Sequence, residues 1–156
     1  MYTAAEASRF SSLLSPEGLE VYEPPGQDGR RCQYLAVADQ LERRRCLPFH
    51  AYDGDMLEGR LIEWLKRHKD DVTIGFTRGD EADIERVSDK WSDAEFASVM
   101  ARTAWGSHQT LAAMCSMLGE RHGMRVAIKV RHLSGRIDLV GELNRVDSCR
   151  YYFDSC

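Results

Sequence analysis

The sequence predicts an α/β domain of the layered α+β kind: helices flanking a small sheet drawn mainly from the C-terminal third. Three observations predict it. Residues up to about 118 carry apolar side chains at helical spacing in separate blocks. From Met124 onward the period changes to two. Proline, glycine and capping residues punctuate the blocks at the intervals that layered domains use. At 156 residues the chain is read as a single domain, 1–156, large enough to bury a core without staples.

Each element has its own warrant. Residues 2–14 form a helix with Tyr2, Ala5, Phe10, Leu13 and Leu14 on one side, ended by Ser15-Pro16-Glu17-Gly18. Leu19 to Tyr22 alternates like a short strand, and Pro24-Pro25-Gly26 then forces an extended path and a turn. Cys32 to Arg45 is a helix with Tyr34, Leu35, Val37, Ala38 and Leu41 inward, so it belongs at the centre of the domain. Asp55 and Glu58 have capping-box spacing before a helix striped by Leu57, Leu61, Trp64, Leu65 and His68.

Residues 70–90 are the least legible, with mixed charges, two glycines and a short apolar patch at Val72, Ile74 and Phe76. Ser92-Asp93-Ala94-Glu95 is a capping box opening a helix with Phe96, Val99 and Met100 on one face. After Trp105-Gly106-Ser107 a further helix turns Leu111, Met114, Cys115 and Leu118 inward, with Gly119 or Gly123 as its stop. Met124 to Arg131, Ile137 to Leu143 and Arg150 to Ser155 are strands.

Bulk composition narrows the function. A net charge of −4 gives no reason to expect nucleic acid or an anionic membrane as partner, and the apolar runs are too short to span a bilayer. The arginine pairs and triplets at Arg30-Arg31 and Arg43-Arg45 are read as solvated surface. Five cysteines, an odd number without zinc-finger spacing or a secretory leader, imply reduced thiols in a cytoplasmic or nuclear type of compartment. No residue set calls for a cofactor, and no metal ligands are assigned. Asp53 and Asp55 are turn and capping residues, and His122 and His132 are read as exposed.

The chemistry concentrates in one stretch. Pro24 to Cys32 is a glycine-bearing turn that delivers a thiol to the first turn of an amphipathic helix. The unpaired amides there carry partial positive charge, which favours a thiolate and supplies donors to an oxyanion. A cysteine at a helix start is otherwise a small buried hydrophobe, the reading given to Cys115.

Three motifs in order resemble the ovarian-tumour (OTU) family of cysteine deubiquitinases. They are Asp28-Gly29-Arg30-Arg31-Cys32 followed by Ala36-Val37-Ala38-Asp39-Gln40-Leu41, then Trp105-Gly106 before a helix and strand, then Tyr152-Phe153-Asp154-Ser155. The resemblance implies an OTU-like cysteine-protease fold. It implies Cys32 as nucleophile, turn amides with Asp28 as the oxyanion hole, and Asp154 as the residue that orients the base. Gly29, Arg31, Trp105 and Gly106 would border the channel for a glycine-glycine tail. The implied partner is ubiquitin or a ubiquitin-like protein, with a larger parent polypeptide also open.

Two departures matter. Two arginines separate Gly29 from Cys32 where one residue is usual, and Tyr152 occupies the position of the catalytic histidine. A phenol, with a reference pKa of about 10, neither takes a thiol proton near neutrality nor supplies an imidazolium. The expectation is therefore a ubiquitin-directed domain of impaired activity. The alternative is an active isopeptidase using a non-standard base, His108 or His50. A third possibility is reuse of the fold for an unrelated protein contact.

Overall fold

The computed structural model describes residues 3–20, 31–44, 53–68, 74–78, 85–89, 91–122, 126–141 and 149–154. Helix α1 (Ala4–Leu14) is followed by a 3-10 turn (Ser15–Glu17). Then come α2 (Cys32–Arg44), α3 (Gly54–His68), β1 (Ile74–Arg78), β2 (Glu85–Asp89), α4 (Asp93–Met100), α5 (His108–His122), β3 (Val126–Arg131), β4 (Ile137–Gly141) and β5 (Cys149–Asp154). The strands form one sheet in the order β2-β1-β4-β3-β5. All neighbours are antiparallel except β3 and β5, which run parallel. The fold class is thus mixed α and β.

The helices form where period and caps agree. Thr3 accepts from the Glu6 amide at 3.2 Å while Glu6 accepts from the Thr3 amide at 2.8 Å, and Ser92 and Glu95 repeat the exchange at the head of α4. Phe10 and Leu14 are the buried residues of α1, whereas Ala5 is exposed. In α3 the cap differs from expectation. The Asp53 carboxylate accepts from the Met56 amide at 2.7 Å, so Asp53 caps the helix. Glu58 is instead buried and taken up by an ion pair described below.

The core lies between the sheet and helices α2, α3 and α5. Tyr34, Val37 and Leu41 of α2 meet Leu57, Leu61, Trp64 and Leu65 of α3. Leu111, Met114, Cys115 and Leu118 of α5 close over Val126, Ile128, Val130 and Val140. Trp64 is part of this core and stacks on His68, centroids 4.3 Å apart. Trp91, Phe96 and Met100 pack partly buried against the same cluster. Helix α5 rests on β1, β3 and β4. The fit is close: Gly141 has φ +106°, and a Cβ there would lie 2.5 Å from the Val126 carbonyl oxygen and 3.1 Å from Cys115 Sγ.

The sheet is wider than the sequence suggests, because the poorly legible 70–90 stretch supplies β1 and β2 as a hairpin pair. Leu19 and Glu20 carry no regular structure, against the strand expected there, while Val21 and Tyr22 lie outside the described residues. Gly119 does not end α5, which continues to His122, and Gly123 lies outside the described residues. The predicted ends at Arg45, Met124, Arg125, Glu142, Leu143 and Ser155 also fall outside them. No helix among the described residues is long and apolar enough to cross a membrane.

Candidate functional site

Cys32 opens α2 and is only 4% exposed. The helix starts there because the Leu35 amide donates to the carbonyl of Arg31 at 3.0 Å. The Arg31 side chain reaches the first turn of α3, where its guanidinium pairs with Asp55 and lies 3.5 Å from Glu58. Arg31 is therefore half-buried between two carboxylates rather than part of a solvated surface, a correction to the sequence reading. The burial of Glu58 requires such a partner, since an unpaired buried carboxylate is costly. Arg43 does stay on the wet side, pairing with Asp39 one turn earlier at 2.8 Å.

Gln33, the next residue, joins the head of α2 to the head of α5. Its amide nitrogen donates to the Ser107 carbonyl at 3.1 Å, and its carbonyl oxygen accepts from the Thr110 hydroxyl. Ser107 caps α5. Its hydroxyl accepts from the Thr110 amide at 3.2 Å, and its own amide donates to the Thr110 hydroxyl at 2.8 Å. Gly106 lies flush against this bridge: a Cβ there would sit 2.5 Å from Gln33 Cδ. Trp105, one residue earlier, is 66% exposed. Gln33, next to Cys32, thus abuts Gly106 and bonds the Ser107 and Thr110 groups that flank His108.

His108 is the first residue of α5 and points to a second cluster. Its Nε2 lies 3.0 Å from Asp138 Oδ2 on β4, and His132 Nε2 lies 2.7 Å from the same oxygen. The two imidazole planes are nearly parallel, 8° apart, with centroids separated by 6.1 Å. Arg136 Nη2 donates to Asp138 Oδ2 at 3.2 Å. The hairpin between β3 and β4 makes this possible. The His132 amide donates to the Arg136 carbonyl at 2.9 Å, and Gly135 turns the loop at φ +87°.

Asp138 is 1% exposed, and its other oxygen, Oδ1, is buried with no hydrogen-bond partner among the described residues. Burial holds His108 below its ordinary pKa, only partly offset by the Asp138 carboxylate, with His132 and Arg136 also lowering it. His132, expected at the surface, is half-buried in this cluster. His122 is half-buried at the end of α5.

The remaining predicted residues divide in two. Asp28, Gly29 and His50 lie outside the described residues. Tyr152 and Asp154 are in β5, where they stand opposite Lys129 and Arg131 in the parallel register. Helix α2 packs against β5, so the Cys32 helix and the closing strand are neighbours. Cys115, by contrast, is buried against the Val140 carbonyl at 3.7 Å, and burial pushes its thiol well above the usual range. It is an inert core thiol.

Sequence reasoning missed Asp138, His132 and Arg136. One signal was present: Asp138 shares its strand parity with Val140, placing a carboxylate on the buried face of β4. No family model matches the chain, and no curated protein matches it.

Proposed function

We propose that this chain is a ubiquitin-directed domain of the OTU cysteine-protease type that binds ubiquitin or a ubiquitin-like protein and hydrolyses its conjugates poorly. One observation supports it above the others. The described parts of the three segments that carry the resemblance are neighbours: α2 with Cys32 at its head, the Trp105-Gly106-Ser107 loop bound to it through Gln33, and β5 packed against α2. A thiol at a helix head beside a loop of glycine and an exposed tryptophan suits a narrow peptide tail. The weak turnover follows from Tyr152, whose phenol cannot exchange a proton with the thiol near neutral pH.

A second reading is favoured by a specific contact. His108 is held by a buried carboxylate, as an orienting acid holds a general base, and the head of its helix is bonded to that of the Cys32 helix through Gln33. In this reading the domain is an active isopeptidase with His108 as its base.

Hydrolysis of a ubiquitin C-terminal fluorogenic amide separates the two. The first reading expects turnover near background in the wild type and a rise of about 100-fold or more in Tyr152→His. The second expects Cys32-dependent turnover in the wild type that His108→Ala abolishes. Failure of either protein to bind ubiquitin would overturn both.

A further inference from the structure

We propose that His108, His132 and Asp138 form a binding site for a divalent transition-metal ion of the zinc class. One ring nitrogen of each histidine and one Asp138 oxygen all lie within 4.8 Å of one another. His132 and Asp138 come from the β3–β4 hairpin, and tertiary packing brings His108 to them from the head of α5. Two imidazoles and one carboxylate suit zinc and its neighbours. Magnesium and calcium prefer oxygen alone.

The crowding around one oxygen is the first argument. His108 Nε2, His132 Nε2 and Arg136 Nη2 lie 3.0, 2.7 and 3.2 Å from Asp138 Oδ2. An ion among them takes one lone pair from each imidazole and one from the carboxylate, with Arg136, 48% exposed on its side chain, turned to solvent.

Asp138 supplies the second, independent argument. Its side chain is almost wholly buried, and Oδ1 has no partner among the described residues. A native structure rarely leaves such an atom unsatisfied. A bound ion gives it a role, either as a second ligating oxygen or as acceptor for a metal-bound water. The half-exposed imidazoles leave an entry path from solvent. The inference goes beyond the ubiquitin reading and does not depend on it. Metal loading and a His108 proton shuttle exclude one another, because both use the same imidazole.

The test is competition between the full chain and a chromogenic chelator for Zn2+, with Co2+ substitution read by visible absorption. One equivalent of Zn2+ should bind, and His132→Gln should weaken it by about tenfold or more. His108→Gln should do the same, while Arg136→Met should bind at least as tightly as wild type. Circular dichroism of each variant confirms that it folds. The cobalt form should show d–d bands without a thiolate-to-cobalt charge-transfer band. Absence of zinc binding, affinity unmoved by both histidine substitutions, loss of affinity in Arg136→Met, or a thiolate band would each overturn the assignment.

Discussion

A methyl group at position 106 would meet Gln33 at its Cβ and Cδ, 2.6 and 2.5 Å away, so the absence of a side chain there is a packing requirement. Gln33 cannot yield by moving its far end alone, because its Cβ is also in the way. Gly106→Ala should therefore lower stability by about 1–3 kcal/mol in urea unfolding. It should also weaken ubiquitin binding, since the same shift displaces the α2–α5 junction. Tyr34 makes a second residue-scale case. Burial first, and the neighbouring Glu58 carboxylate second, push its phenol up to about 12 from an ordinary 10.0.

The neutral phenol is thus favoured in the folded state. Its contribution is fully present below pH about 10 and is lost as pH rises toward the folded value, with a slope of at most about 1.4 kcal/mol per pH unit. Tyr34→Phe should remove that part of the alkaline destabilisation in a pH series of unfolding curves. An unchanged alkaline slope would contradict it. At this scale the sequence was readable where a local pattern sets the backbone, as at Cys32, which does open its helix. It was unreadable at Arg31 and His132, because only the fold reveals that Glu58 and Asp138 are buried beside them.

Among elements, the helices were legible because their apolar period and caps agree, as Ser92 with Glu95 shows at α4. The cap of α3 was misplaced by two residues because Asp53, Asp55 and Glu58 all have plausible cap spacing, and burial of Glu58 decides among them. Strands β1 and β2 escaped notice because Ile74–Arg78 and Glu85–Asp89 mix charge with few apolar residues, so period two is faint. They gain their place because β1 pairs with β4, a non-local partner that no window sees, and β2 pairs with β1. The β4 terminus carries the sharpest element-scale prediction. Gly141 combines a left-handed backbone with a Cβ position 2.5 Å from the Val126 carbonyl. Gly141→Ala should cost at least about 2 kcal/mol in thermal or chemical unfolding.

For the molecule as a whole, the helix that carries Cys32 is bounded by α3, β5 and the head of α5. That arrangement sets α2, which Cys32 opens, beside β5 and the Trp105–Ser107 loop, and the proposed ubiquitin-directed function rests on it. The layered class was predictable from the change of period near residue 124, but the junction was not, since it depends on Gln33, a residue with no periodic signature. The most direct measurement is a titration of the isotope-labelled chain with ubiquitin, followed by amide chemical shifts. The account predicts saturable perturbations centred on Cys32, Gln33, Trp105 and Gly106, in both the wild type and Tyr152→His. A spectrum unmoved by ubiquitin, or perturbations confined to surfaces away from the head of α2, would contradict it.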